Sequence, residues 1–183
     1  MAETIHSAGA DRKEENYQEF LRLLNAPDYY DVTFDEESGG VSAVHIGHRF
    51  DKQRGKEGSR RGDYERRVLE SFRQSGHLMI LLNESSDVGI KQYDGLLDGV
   101  PCEIKAVEHI GRWTIRTKIG NAIRQRAEIV ILFFPNSSVY SKQLVQGGWN
   151  DYLSYLKPME TAADIKLYCV VEEEIIEIEK PSW

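Results

Sequence analysis

Apolar residues recur along this chain with two periods, and the points where one period gives way to the other divide it into elements. From Glu14 onward Tyr17, Phe20, Leu21 and Leu24 recur at intervals of three and four, which predicts a short amphipathic helix stopped by Asn25-Ala26-Pro27. The first dozen residues are polar and patternless and read as a frayed arm. Tyr29 to Phe34 and Val41 to Ile46 read as strands joined through Glu36-Glu37-Ser38-Gly39-Gly40, whose two glycines suit a hairpin. Asp51 to Gly62 is glycine-rich, charged and almost devoid of apolar residues, so it is expected to be a mobile loop and a boundary.

Tyr64, Val68, Leu69 and Phe72 predict a second helix, ended by Gly76 as a left-handed cap. Leu78 to Leu82 and Glu128 to Phe134 have the continuous apolar character of buried strands. Asn83 to Gly89 reads as a turn, and two further strands meet around Asp98-Gly99. A helix from about Trp113 to Arg126 has Ile115, Ile119, Ala122 and Ile123 on one face, and Pro135-Asn136-Ser137-Ser138 closes the strand after it. A last helix is expected from Tyr140 to Leu156, weakened or broken at Gly147-Gly148, before strands at Ile165 to Val171 and Ile175 to Ile178. The alternation of elements predicts an α/β domain, a mixed central β-sheet flanked by helices.

Composition narrows the class. At 183 residues the chain is long enough to bury a core without staples. No apolar run approaches the ~20 residues of a spanning helix, and the first residues lack a secretory apolar core, so a cytoplasmic protein without a membrane partner is expected. Cys102 and Cys169 are read as reduced thiols. The formal net charge of −7 argues against a nucleic-acid partner only if it is evenly spread. It is not: residues 49 to 126 hold 16 Lys and Arg against 11 Asp and Glu, leaving −12 to the remainder.

Chemistry concentrates in that basic middle, in Tyr93-Asp94-Gly95-Leu96-Leu97-Asp98-Gly99-Val100-Pro101-Cys102-Glu103-Ile104-Lys105. Asp-Gly between apolar segments is a strong hairpin signal, because a type I′ turn needs positive φ at both central residues. With Asp98 and Gly99 in those positions, Asp94 faces Glu103, and Lys105, two residues on, shares the face. Two opposed carboxylates repel each other and call for a positive neighbour, either Lys105 or a divalent cation. Two carboxylates and a backbone carbonyl make a hard-oxygen half-shell suited to Mg²⁺, and an ammonium group beside it can orient water or steady charge on a phosphoryl oxygen. The plain alternative is a solvated hairpin face with Lys105 as a passive counter-ion.

With a helix containing Glu65 and a buried strand before this hairpin, and a helix and a buried strand after it, the chain resembles the PD-(D/E)XK nuclease superfamily. Within it the resemblance is to the C-terminal tRNA-cleaving domains of contact-dependent growth inhibition (CdiA-type) toxins, a domain type also seen in phage-related proteins. It covers roughly Asp63 to Phe134. Glu65 resembles the family's first-helix glutamate, Asp94 its motif aspartate, Glu103 and Lys105 its Glu-x-Lys element, and Gln125 the glutamine that ends the next helix. Tyr93 stands where a proline usually precedes the aspartate. The resemblance implies that Glu65, Asp94 and Glu103, with the Ile104 carbonyl, bind Mg²⁺ or Mn²⁺, and that Lys105 and Gln125 complete the catalytic set. It implies a restriction-endonuclease-like core over residues 63–183, with an arm, a short helix and a hairpin as an extension over 1–62.

Other signals bear on partners. Arg54, Lys56, Arg60 and Arg61, with Arg49, Lys52, Arg66 and Arg67, are denser than solubility requires and are candidates for gripping a phosphate backbone, as is Lys118; the plain alternative is a solvated linker. Lys118, Asn121 and Gln125 share one polar helix face. His45 and His48 point to opposite faces of a strand, so solvated or packed rings are expected rather than a metal pair. Trp149, Tyr152 and Tyr155 are expected to be core or a local packing cluster, with base stacking as the alternative. Glu172-Glu173-Glu174 reads as a turn, and Glu177 and Glu179 as an exposed strand side, with a partner-binding acidic edge as the alternative. The leading expectation is a metal-dependent endonuclease acting on RNA, resembling a toxin and possessing an immunity protein. The alternatives are a DNA endonuclease or a non-catalytic nucleic-acid- or protein-binding module of a mobile element.

Overall fold

The computed structural model describes residues 3–50, 61–83, 92–111, 113–156 and 165–181. Among the described residues eight strands stand in chain order in one mixed sheet, and with four helices they form an α/β fold, as the alternation of elements predicts. The chain divides into two compact units, Met1–Glu84 with Gly95–Gly99, and Ser85–Asp94 with Val100–Trp183.

The first unit contains helix α1 (Glu3–Leu24), strands β1 (Tyr29–Phe34) and β2 (Val41–His45), helix α2 (Arg61–Gln74), and strands β3 (Leu78–Leu81) and β4 (Gly95–Leu97). β1 and β2 are antiparallel, β2 and β3 parallel, β3 and β4 antiparallel. The β1 to β2 connection is held by Asp35, whose carboxylate accepts from the Glu37 and Ser38 amides at 3.1 and 2.8 Å. Leu23 of α1 packs with Val41, Ala43 and Ile80, while Val68, Leu69 and Phe72 are the buried face of α2. α2 ends as expected at Gly76, with φ of +82°. The Gly76 amide donates to the Arg73 carbonyl and the His77 amide to that of Phe72, both at 3.0 Å, which is the paired bonding of a Schellman cap.

α1 begins eleven residues before the expected helix, at Glu3 rather than Glu14. Its added length is anchored by polar contacts that apolar periodicity does not register. Arg12 pairs with Asp98 at 2.7 Å and Lys13 donates to the Glu36 carbonyl; further on, within the expected helix, the buried Asn16 amide donates to the carbonyls of Gly39 at 2.9 Å and Gly76 at 3.3 Å.

The second unit contains β5 (Val100–Ala106), α3 (Thr114–Arg124), β6 (Ile129–Phe134), a 3₁₀ turn (Ser137–Val139), α4 (Lys142–Leu156), β7 (Lys166–Val171) and β8 (Glu174–Ile178). β5, β6 and β7 run parallel and β8 antiparallel to β7. Every residue of β6 is buried, as its continuous apolar run requires of a central parallel strand. Ile115, Ile119 and Ala122 of α3 and Val145, Trp149 and Leu153 of α4 pack with Val130, Leu132, Phe134, Leu167 and Cys169. Burial raises the Cys169 thiol to about 12, so it serves as an apolar filler.

Gly147 and Gly148 do not break α4. A Cβ at Gly148 would lie 2.5 Å from the Ile115 Cβ, so the missing side chain lets α4 approach α3 closely, and that packing offsets the propensity cost. Trp149 and Tyr152 belong to the core, with rings stacked at 6.3 Å, whereas Tyr155 is 70% exposed, contrary to the expected cluster. Glu172, with φ of +58°, turns the chain into β8, on which Glu174 and Glu177 are exposed.

Candidate active site

The hairpin expected at Asp98-Gly99 forms with φ of +51° and +81°, positive at both positions. Asp94 and Glu103 meet as the register arithmetic predicts. The Asp94 amide donates to Glu103 Oε2 at 2.9 Å, and the Ile104 amide donates to Asp94 Oδ2 at 2.8 Å. Each carboxylate therefore accepts from a backbone N–H of the other's segment, an arrangement that offsets their repulsion. Strand alternation brings Lys105 onto the same face as Glu103, and its ammonium donates to Glu103 Oε1. A second Lys105 N–H reaches Gln125 Oε1 at 2.8 Å. The Gln125 amide nitrogen contacts the Gln92 carbonyl at 3.4 Å, so the residue that follows α3 is clamped between Lys105 and the chain just before Asp94.

Glu103 is the buried member of the set, with 1% of its side chain exposed against 23% for Lys105. Burial pushes its carboxyl above the ordinary value of 4.5, against the opposing pull of the Lys105 ammonium and the Asp94 amide. A buried carboxylate held by one ammonium and one amide is costly to maintain for stability alone. Groups perturbed by burial beside a specific charge partner are typical of functional sites.

Glu65 lies in the other unit, on α2. Its carboxylate Oε2 is 3.5 Å from Nε2 of His48, and 12% of the Glu65 side chain is exposed while the imidazole is fully enclosed. Nδ1 of His48 donates to the Leu82 carbonyl at 2.9 Å, which fixes the ring and turns Nε2 toward Glu65. His48 is thus a packed histidine, as expected, but its link to Glu65 joins residues seventeen positions apart and has no local sequence signal. His45 is separately occupied, its Nδ1 accepting from the Gly47 amide at 2.9 Å.

Arg54, Lys56, Arg60 and Lys52 lie outside the described residues, and Arg61 opens α2. Arg66 pairs with Asp31 at 2.9 Å and lies over the Phe50 ring. On α3, Asn121 accepts from Arg124, while Lys118 is half-buried.

Among the described residues no three His, Cys, Asp or Glu side chains gather into a ready metal cluster. The donors that do meet, the Asp94 and Glu103 carboxylates, are hard oxygens. They fit Mg²⁺, which commonly takes one or two carboxylates and keeps several waters. Among the described residues no helix is long and apolar enough to cross a membrane.

No protein-family model and no curated protein matches the sequence. Among solved structures, the chain is similar to one from a CdiA-CT/CdiI toxin and immunity complex of Burkholderia pseudomallei, with a TM-score of 0.47 and 12% identity over 76% of this chain and 99% of that one. A likeness so distant bears on neither the site nor its chemistry.

Proposed function

We propose that this chain is a divalent-metal-dependent endonuclease that hydrolyses phosphodiester bonds, with RNA, and tRNA-like RNA in particular, as its substrate. The observation that carries this reading is the interlocked set of Asp94, Glu103 and Lys105, closed by Gln125. Asp94 and Glu103, with the Ile104 carbonyl, are the groups that would hold Mg²⁺ or Mn²⁺. When bound, the ion would supply Lewis-acid stabilisation of phosphoryl charge and a more acidic water. The protein's own part is positional. The two amide bonds hold the carboxylates in fixed rotamers, and Gln125 holds the Lys105 amine at Glu103 rather than in solvent. From there the ammonium would orient an attacking water and stabilise the added negative charge as the water oxygen bonds to phosphorus, its proton passing to solvent, and the P–O bond to the leaving ribose oxygen breaks, that oxygen taking up a proton from solvent.

RNA is preferred over DNA because the motif order resembles the tRNA-cleaving toxin domains, and an immunity protein and delivery within a longer toxin belong to the same reading. Incubation of the purified chain with labelled tRNA, single-stranded DNA and duplex DNA, each with Mg²⁺, Mn²⁺ or EDTA, tests this. Metal-dependent cleavage of RNA that is lost in Asp94→Ala and Lys105→Ala supports it. Cleavage of DNA alone revises the substrate, and no cleavage of any of them removes the proposal.

A further inference from the structure

The second unit carries two large aromatic side chains at its surface with an arginine between them. Trp113, at the start of α3, is 49% exposed, and Tyr155, near the end of α4, is 70% exposed. The Arg116 guanidinium lies 5.7 Å from the Trp113 ring centroid and 5.1 Å from that of Tyr155, within cation–π range of both. Leaving rings of this size in water forgoes burial free energy, whereas α4 buries its Trp149 and Tyr152 in the core. The setting is also cationic. No Asp or Glu occurs between Glu108 and Glu128, and α3 carries Arg116, Lys118 and Arg124 in a chain whose net charge is −7.

Unpaired bases stack on aromatic rings and on guanidinium planes, and their phosphates seek basic helices. We propose that Trp113, Arg116 and Tyr155 form a stacking platform for an unpaired nucleobase of a single-stranded polynucleotide. The proposal deepens the nuclease reading by naming a contact for its substrate, and it rests on that reading for its biological purpose. Arg116 and Gln125 are nine residues apart, which is about 14 Å along a helix and half a turn around it. A strand that engages both the platform and the Lys105 site therefore crosses the exposed ridge of Thr117 and Arg124. Arg124 is held there by the Gly120 carbonyl at 3.2 Å and by Asn121. Trp, Tyr and Arg also suit a protein contact, but nineteen consecutive residues without a carboxylate favour a polyanion.

The test is a fluorescence titration of the full chain in EDTA, in a Trp183→Phe background, so that Trp113 and the buried Trp149 are the reporters. Single-stranded RNA and DNA oligonucleotides and a duplex of equal length are the probes. The platform predicts saturable quenching by the single strands and less by the duplex. It also predicts about tenfold weaker single-strand binding in Tyr155→Ala and Trp113→Leu, with near-parental affinity in Trp113→Phe, read for the Trp113 variants from the anisotropy of a labelled oligonucleotide. Hydrolysis of bis(p-nitrophenyl) phosphate, too small to reach the platform, should be equal in all of them. If folded Tyr155→Ala and Trp113→Leu bind as the parent does, or the duplex quenches equally, the platform is wrong even where RNA is cleaved. If the parent cleaves nothing yet shows this binding pattern, the platform stands and the nuclease reading falls.

Discussion

Asp98 gives the account a quantitative test away from the candidate site. At the positive-φ corner of the hairpin, its carboxylate accepts from Arg12 at 2.7 Å, from His77 Nδ1 at 2.7 Å and from the Leu78 amide at 3.0 Å. Burial alone would raise its pKa, but these three donors together outweigh burial and hold it at about 2, against an ordinary 3.8. A carboxyl whose pKa is lowered by folding stabilises the fold above its unfolded value, and that stability is lost as pH falls from about 3.8 toward about 2. The full shift corresponds to about 2.4 kcal/mol at 1.36 kcal/mol per unit. With 35% of the side chain exposed, solvent screening reduces this to about 1–1.5 kcal/mol. Asp98→Asn keeps the shape, the tolerance of positive φ and one acceptor for the Leu78 amide, but it puts an NH2 donor where the oxygen accepts from Arg12 and His77, so it removes the charge together with those two contacts. At pH 6.5 it should lower the thermal midpoint by about 3–5 °C, with the difference disappearing near pH 2. Calorimetry of the two proteins at matched pH measures this. Parallel curves at both pH values would refute the electrostatic account of the corner.

Further expectations follow from single contacts. Gly148→Ala places a methyl against Ile115 and should destabilise by about 1–3 kcal/mol despite alanine's helix propensity, while Gly147→Ala, with nothing within 4 Å of the added atom, should stabilise by up to about 1 kcal/mol; urea unfolding separates the two. Lys105→Met leaves the Glu103 carboxylate buried without its ammonium, so it should abolish cleavage and lower stability by on the order of 2–3 kcal/mol at neutral pH, the loss shrinking in acid as Glu103 takes up a proton. Because burial raises the Glu103 pKa in the metal-free protein, protons should compete with Mg²⁺ for the site, so the Mg²⁺ concentration giving half-maximal cleavage should rise as pH falls; Mg²⁺ titrations of cleavage at several pH values read this.

The parts of the site legible in the sequence are those fixed by local geometry. Asp98-Gly99 dictates the turn, the turn dictates that Asp94 meets Glu103, and strand alternation adds Lys105. The strands around them were equally readable, because the apolar runs at Leu78 and Ile129 leave few other conformations open. What was not legible depends on long-range partners. The early start of α1 rests on Arg12 and Lys13 finding polar partners far along the chain. The continuity of α4 rests on Ile115 lying opposite Gly148, and the orientation of His48 on the Leu82 carbonyl. Tyr155 shared the helical spacing of Trp149 and Tyr152, yet it sits past the edge of the buried stripe, which periodicity alone does not locate.

The central claim is that Asp94, Glu103 and Lys105 form one metal-dependent hydrolytic centre. Cleavage of a 5′-labelled tRNA by the parent and by Asp94→Asn, measured across a Mg²⁺ titration with folding checked by circular dichroism, tests it most directly. The account predicts Mg²⁺-dependent cleavage by the parent and a loss of at least about 10²-fold in the folded variant. Equal cleavage by both proteins, or parental cleavage that persists in EDTA, would contradict it.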